Sequence, residues 1–373
     1  MEYKVRYFDY PAQFRNFREK YLEIFDSTLS AGKMILQEDV ECFESNLAKF
    51  VDSKYAIGVG SGTGALLLSL MACGIGLGDE VITVSHTFVA TVEVIKLLGA
   101  IPVLVDIDDS HNMDIDLVEE VITERTKAII PVHLNGRICN KMEKLQEIAY
   151  KYNLMIIEDA AQALGASYKG KKAGTFGITG CFSFYPAKIL GAFGDAGAIV
   201  TNDENIARKL KALRNHGREG AEIICWGFNC RLDNIQAAIL NYKLELIPQW
   251  IKRRREIAKI YQEELSEISE LRLPPAPTNG GDHYDVFQNY EIEAERRDEL
   301  IQYLKSKGIE VMLPWGGKAV HQFKALGLDH YKLPRTEKFF KKAIMLPMYP
   351  ELKDEEVKYI TQTIKDFYAR NKN

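Results

Sequence analysis

From Tyr55 to Thr201 short β-branched runs alternate with stretches whose apolar residues recur at helical spacing. Only a mostly parallel sheet flanked by helices suits that alternation, because parallel neighbours cannot be joined by a hairpin and need a crossover between them. The strands read at 56–59, 81–85, 103–106, 128–132, 154–158, 181–184 and 197–201, with helices at 63–73, 87–98, 117–123 and 142–150. The class is α/β, and the first element of the fold is expected near residue 31. Beyond Asn202 come a helix at 204–215 and a long helical stretch at 232–270, which Pro248 is expected to interrupt. After the loop Pro274-Pro275-Ala276-Pro277 follow a strand (286–292), a helix (297–307), two strands (310–313 and 343–346) and a last helix (354–368). Two domains are expected: a large one over 1–247, N-terminal segment included, and a smaller C-terminal α+β domain over 248–373.

Charge and cysteine usage exclude several function classes. Forty-eight basic against fifty-two acidic residues leave a net charge of −4, with no overall positive field for nucleic acid. The run Lys252-Arg253-Arg254-Arg255 reads as a solvated helix face. Six cysteines, at 42, 73, 139, 181, 225 and 230, form no C-x-x-C pair, so neither a metal site nor a disulfide framework is expected, only buried thiols. The N-terminal residues lack the apolar core of a leader and no stretch approaches a membrane span, so a cytoplasmic location is expected.

Three segments carry chemistry. Gly58-Val59-Gly60-Ser61-Gly62-Thr63-Gly64-Ala65 joins a strand to a helix, where glycines let the backbone approach a phosphate and helix N-terminal amides meet its charge. Gly60, Gly62 and Ala65 also satisfy the G-x-G-x-x-A form of a dinucleotide site. That rival wants an acid at the end of the second strand, whereas residues 81–85 end in Ser85 and lead to His86, which favours a smaller phosphorylated cofactor. In Ile156-Ile157-Glu158-Asp159 an apolar strand ends in two acids that alternation sends to opposite sides of the sheet. Asp159 is taken as the one that faces a ligand; an acid capping the next turn is the plainer reading. In Ser183-Phe184-Tyr185-Pro186-Ala187-Lys188 a strand delivers a lysine into a glycine-rich loop, and lysine can form a Schiff base with an aldehyde cofactor. A lone loop lysine is ordinarily a surface lysine. Phosphate cup, strand-end acid and loop lysine in this order make a different case.

Together with Thr87-Phe88-Val89-Ala90-Thr91, Gly194-Asp195-Ala196-Gly197 and Gly227-Phe228-Asn229-Cys230-Arg231-Leu232-Asp233, these segments resemble the DegT/DnrJ/StrS family of sugar aminotransferases. That family belongs to the aspartate-aminotransferase superfamily, fold type I, and the resemblance runs from about Ala31 to Tyr368. It implies pyridoxal 5′-phosphate (PLP) bound through Lys188, with Asp159 on the pyridine nitrogen, Gln162 near the ring hydroxyl and Phe88 stacked on the ring. Gly62, Thr63 and Ser183 would hold the phosphate, and Asn229 would reach the phosphate of a neighbouring subunit in a homodimer. The implied reaction moves an amino group, usually from L-glutamate, to a keto-sugar, most often a nucleotide-linked 3- or 4-keto-deoxyhexose, for surface polysaccharide or glycoside biosynthesis. A cyclitol ketone, a small phosphorylated ketone or a sugar dehydratase activity is the alternative. Two segments depart from the family pattern: His133-Leu134-Asn135-Gly136-Arg137 has asparagine where many relatives have tyrosine, and a tyrosine-proline pattern is missing before His321. Tyr185, Trp315 and His321 are the candidates for substrate contact.

Overall fold

The computed structural model describes residues 3–278 and 280–369; residues 1–2 and 370–373, the outer ends of the two expected domains, lie outside the described residues. Its centre is a seven-stranded sheet formed by β1 (Tyr55–Val59), β2 (Glu80–Val84), β3 (Ile101–Val105), β4 (Thr126–Ile129), β5 (Met155–Asp159), β6 (Thr179–Ser183) and β7 (Gly197–Thr201). The spatial order is β1-β7-β6-β5-β4-β2-β3. All strands run in one direction except β7, which is antiparallel to both β1 and β6.

Alternation along each strand fills two cores. Ala56, Ile82, Val84, Ile156 and Phe182 pack on one face. Ile57, Val59, Val81, Ile157 and Cys181 pack on the other, under α4 (Gly62–Ala72) and α5 (Val89–Leu97). Consecutive strand residues belong to opposite faces, so Glu158 follows Ile156 into the first core and Asp159 follows Ile157 toward α4 and α5.

The N-terminal part is more structured than expected. Helices α1 (Tyr10–Asn16) and α2 (Arg18–Ser30) precede residue 31, and α3 (Glu38–Phe50) follows. Tyr21 of α2 is fully buried, in edge contact with Phe193 at 4.8 Å and with Tyr242 at 5.9 Å. Ahead of α1, Val5 joins the core of the C-terminal part and bridges Ile309, its amide bonded to Gly308 O at 3.1 Å. The first residues thus pack with the smaller unit and not with residues 31–247.

Further corrections come from packing. The remaining helices of the large unit are α6 (Met142–Tyr152) and α7 (Glu204–Leu213), and α8 (Asn234–Leu265) runs through Pro248 without a break. A mid-helix proline costs about 3 kcal/mol, but Leu244, Ile247, Trp250 and Ile251 are locked in the first core and Ile257, Ala258, Tyr261 and Leu265 in the C-terminal one. We propose the change of core between Ile251 and Ile257 as the domain division. The smaller unit holds β8 (Tyr290–Ala294) paired with β9 (Ala343–Leu346) and with Leu271–Arg272, and the helices α9 (Arg297–Ser306), α10 (Pro334–Phe340) and α11 (Asp354–Ala369). The strand expected at 310–313 is a single bridge, Met312 to Met345, because Pro314 and the left-handed Trp315 (φ 44°) end the pairing. The helix expected at 117–123 is two short turns, Ile115–Leu117 and Glu119–Val121. Of the cysteines only Cys139 and Cys181 are buried; Cys42, on α3, and Cys225, in a loop, are exposed. Arg254 and Arg255 are no solvated face either: they are 1% and 8% exposed. Arg254 Nη1 donates to the carbonyls of Phe287, Gln288 and Met348, and Arg255 donates to those of Asp285 and Thr278. No helix among the described residues is long and apolar enough to cross a membrane.

Candidate active site

The carboxyl edge of a parallel sheet is where βα loops converge, and the expected residues meet there. β1 turns through Gly60 into α4, whose N-cap Ser61 accepts from the Gly64 amide at 3.0 Å. The Gly62 and Thr63 amides, in the first turn, have no acceptor within the helix and are available to an anion. Any side chain at Gly62 would put its Cβ 2.7 Å from Ser183 Cβ, so bare backbone is what lets this turn face Ser183. At Gly197 a Cβ would lie 2.5 Å from the Ser61 carbonyl carbon, which shows how closely β7 backs the same turn.

Asp159, at the end of β5, is 6% exposed. Its Oδ2 accepts from Thr91 Oγ1 at 2.8 Å, its Oδ1 from the Ala161 amide at 3.2 Å, and Thr91 Oγ1 lies 2.6 Å from Thr87 Oγ1. Burial raises the pKa of this carboxyl, and those hydrogen bonds and the Lys188 charge offset that only in part. Lys188 is the reciprocal case: desolvation lowers its amine from 10.5 to about 8, with Asp159 the opposing charge. The shift brings an appreciable fraction of nucleophilic free amine within reach of neutral pH.

Glu158 does different work. Its carboxylate is fully buried and accepts from the amides of Gly174 (2.8 Å), Phe176 (2.6 Å) and Gly177 (2.7 Å). Its Oε2 also lies 2.9 Å from His133 Nε2. His133 Nδ1 accepts from the Cys139 amide, which assigns the imidazole proton to Nε2. We expect Glu158→Ala to lower unfolding stability by about 3–5 kcal/mol, as when one partner of a buried charged network is removed, read by urea denaturation of the PLP-free protein.

The other expected residues divide into two groups. Gln162 Oε1 accepts from the Asn135 amide at 2.7 Å and from Asn289 Nδ2 at 3.4 Å, which leaves its NH2 group for a ligand. Phe88 is 55% exposed at the N-cap of α5, one turn before Thr91. Tyr185 is 51% exposed and faces Tyr10, whose hydroxyl is raised to about 12 by burial and then by Tyr185. Asn229 is exposed, in a loop that also exposes Ile223, Ile224, Trp226 and Phe228. His321 is 3% exposed, with Nδ1 2.7 Å from Ser85 Oγ and its amide donating to the same oxygen. It anchors its loop to the end of β2 as a packed histidine. Trp315 is partly buried against both neighbouring cores and meets His86 edge-on at 5.3 Å. Sequence reasoning assigned no role to Thr91, Asn135, Asn289 or Gln288. Thr87 and Thr91, four residues apart before and within an otherwise apolar helix start, were the one readable signal.

A cup of free amides beside a serine hydroxyl, a buried acid whose charge is only partly compensated and a desolvated lysine fit PLP. Comparison with known proteins agrees. The model of the DegT/DnrJ/EryC1/StrS aminotransferase family matches residues 16–365. The chain is 41% identical to the "Pleiotropic regulatory protein" of Geobacillus stearothermophilus, covering 96% of this chain and 97% of the other. It is 38% identical to the dTDP-3-amino-3,4,6-trideoxy-alpha-D-glucose transaminase of Micromonospora megalomicea (96% and 97% covered). It is also 38% identical to the UDP-2-acetamido-2-deoxy-3-oxo-D-glucuronate aminotransferase of Pseudomonas aeruginosa (95% and 98% covered). Streptomyces venezuelae DesV, solved with a ketimine intermediate, superposes with a TM-score of 0.93 at 36% identity over 98% of this chain and 99% of that one. The sugar aminotransferase Spr1654 of Streptococcus pneumoniae, which superposes with TM-scores of 0.86 and 0.87, is known in PLP and PMP forms. Fold, cofactor cradle and likeness over almost the whole length agree: the chain belongs to the DegT/DnrJ/EryC1/StrS aminotransferase family and is a PLP-dependent aminotransferase.

Proposed function

We propose that this enzyme transfers the amino group of L-glutamate to a nucleotide-linked keto-deoxyhexose, at carbon 3 in preference to carbon 4, in the cytoplasm and for surface polysaccharide or glycoside biosynthesis. The observation that carries the chemistry is the meeting of Lys188, Asp159 and the Gly62–Thr63–Ser183 cup at one sheet edge. The choice of acceptor is supported by the transaminase relatives, whose names place the exchanged group at carbon 3 of a dTDP- or UDP-linked sugar.

Bound PLP supplies an aldehyde that captures amines and a ring that withdraws electrons. The protein does the rest. Amides of Gly62 and Thr63 with Ser183 anchor the phosphate, and Phe88 covers one face of the ring. Asp159, held by Thr91 and the Ala161 amide, keeps the pyridine nitrogen protonated. The NH2 group of Gln162 donates to the ring hydroxyl, since its carbonyl end is committed to Asn135 and Asn289. Lys188 would hold the cofactor through its amine and, as the desolvated base of the site, would carry the proton that leaves the substrate carbon bearing nitrogen. Tyr185 and Trp315 line the approach of the acceptor, while His321 positions the loop that carries Trp315. A homodimer with shared sites, Asn229 reaching the partner's phosphate, is part of the proposal. The exposed Trp226, Ile223, Ile224 and Phe228 beside Asn229 support it, as apolar area that a second subunit would cover.

The test gives PLP-loaded protein L-glutamate with dTDP- or UDP-linked 3-keto and 4-keto deoxyhexoses, and a cyclitol ketone beside them, and reads amination by mass spectrometry. Amination of a 3-keto nucleotide sugar with stoichiometric 2-oxoglutarate is expected. Amination of the cyclitol ketone alone overturns the acceptor class.

A further inference from the structure

Lys188 lies on the segment between Ser183 of β6 and Gly197 of β7. The segment bonds to itself at few points: Phe184 N to Ala196 O, Ala192 N to Phe184 O and Lys188 N to Tyr185 O, each 2.8 Å. Three side chains from outside hold five more of its backbone groups. Lys243 Nζ donates to Gly191 O at 2.6 Å, and Gln236 exchanges two bonds of 2.9 Å with the amide and carbonyl of Phe193. Gln288 is placed otherwise. Its Nε2 donates to Ala187 O at 2.9 Å and its Oε1 accepts from Ile189 N at 2.8 Å, so one carboxamide spans the peptide groups on both sides of Lys188.

Gln288 is itself immobilised. It is 6% exposed; its amide donates to Asn135 O at 3.0 Å and its carbonyl accepts from Arg254 Nη1 at 3.0 Å. Asn135 in turn donates its amide to Gln162 Oε1. Only a side chain with a donor and an acceptor on one planar end can serve a carbonyl and an amide two residues apart, which is what glutamine offers and leucine, methionine or glutamate does not. The lysine amine stands about 6 Å from its Cα, so a tilt of about 10° at the backbone moves it about 1 Å, a misplacement able to cost up to about 10²-fold in rate.

We infer that Gln288 is a positioning residue for transamination: by holding the peptide groups on both sides of Lys188, it fixes the direction from which the lysine amine meets cofactor and substrate. The inference rests on Lys188 being the lysine that bonds PLP. It links the segment just before β8 of the smaller unit to the reacting lysine of the larger one.

Gln288→Met and Gln288→Leu test it, with Gln236→Leu as a comparison that removes a matching pair of bonds five residues from Lys188. The full-length proteins are loaded with PLP and reduced with borohydride, and the fraction carrying covalent cofactor on Lys188 is read by intact and peptide mass spectrometry, beside melting temperature, kcat and KM. For either Gln288 variant we expect PLP still taken up, a covalent fraction reduced about threefold or more, and kcat about tenfold lower at near-constant KM for the amino donor. Gln236→Leu should lower the melting temperature while keeping the wild-type covalent fraction. A wild-type covalent fraction and kcat in a folded Gln288 variant overturns the inference. So does an equal loss in Gln236→Leu, which would show general loosening of the segment. Absence of adduct on Lys188 in the wild-type protein refutes the assignment of Lys188 itself, and this inference with it.

Discussion

Lys188→Ala should take up PLP without a covalent bond and lose turnover on the order of 10⁴-fold or more, the scale on which removing a covalent catalyst acts. Borohydride reduction and intact mass would show an adduct on the wild-type protein and none on the variant, while circular dichroism stays unchanged. The pH dependence carries more information. Desolvation brings the Lys188 amine down to about 8, so the rate at which PLP-free protein bonds added PLP should rise about tenfold per pH unit below 8 and level off above it. A solvated lysine would go on gaining rate to beyond pH 10. The sign of the stability effect follows from the same shift. The unfolded chain holds its proton up to about 10.5, whereas the folded chain gives it up near 8. Folding is therefore penalised while Lys188 stays charged, below about pH 8, and the penalty is relieved as pH rises from there toward 10.5. A plateau absent up to pH 10 would show that the amine is not desolvated.

The sheet was legible because period-2 runs buried on both faces leave near-continuous apolar stretches, and all seven strands lie where such runs occur. What the sequence concealed was decided by contacts between distant segments. Pro248 reads as a stop signal locally, but burial of α8 on both sides of it outweighs the lost hydrogen bond. Lys252-Arg253-Arg254-Arg255 reads as a charged face, yet the turn of the helix points Arg254 and Arg255 inward, where carbonyls of the segment before β8 await their guanidinium groups. Nothing local marks those carbonyls as unsatisfied. α1 and α2 went unnoticed because α2 buries only Tyr21 and Thr28, too little for a clear apolar stripe.

In the site, residues whose chemistry is intrinsic were readable and residues that act by position were not. Lys188 and Asp159 announce themselves through side-chain type at a strand end or in the loop after one. Alternation sends Glu158 and Asp159 to opposite sides without choosing between them, and the structure gives Glu158 a task of its own as the acceptor for three loop amides. Gln288 lies 99 residues from Ile189 and Asn289 lies 127 from Gln162, in a stretch that reads as a strand and instead runs irregularly into Tyr290. Asn135, noted only as a departure from the family pattern, adopts a left-handed backbone (φ 56°) and donates to Glu291 Oε2 at 2.5 Å, Asn289 completing the cluster at 2.9 Å. A tyrosine there could not make those side-chain bonds to Glu291 and Asn289, whereas the bond to Gln162 comes from the residue 135 backbone amide and does not depend on the asparagine.

Asp159→Asn should lower kcat by about 10²–10³-fold, the cost of removing one preorganised charge from a site where charge develops. In the role proposed for it, the carboxylate keeps a proton on the pyridine nitrogen, which a neutral amide of the same shape cannot do. Two consequences separate this role from simple packing. A PLP analogue methylated at that nitrogen is permanently cationic, so it should recover at least about tenfold of the lost rate in Asp159→Asn, an electrostatic repair that a packing defect would not allow. The PLP-free variant should also be more stable than PLP-free wild type at neutral pH. Burial raises the Asp159 pKa above its unfolded value, so the native carboxylate is a cost at neutral pH that is relieved as pH falls through the folded pKa. The asparagine removes that cost at every pH. Higher melting temperature without cofactor, lower activity with it and partial rescue by the methylated analogue would together show that Asp159 is held in an unfavourable state until a cation arrives. A variant that melts lower than wild type and ignores the analogue would instead make Asp159 a structural acid like its neighbour Glu158.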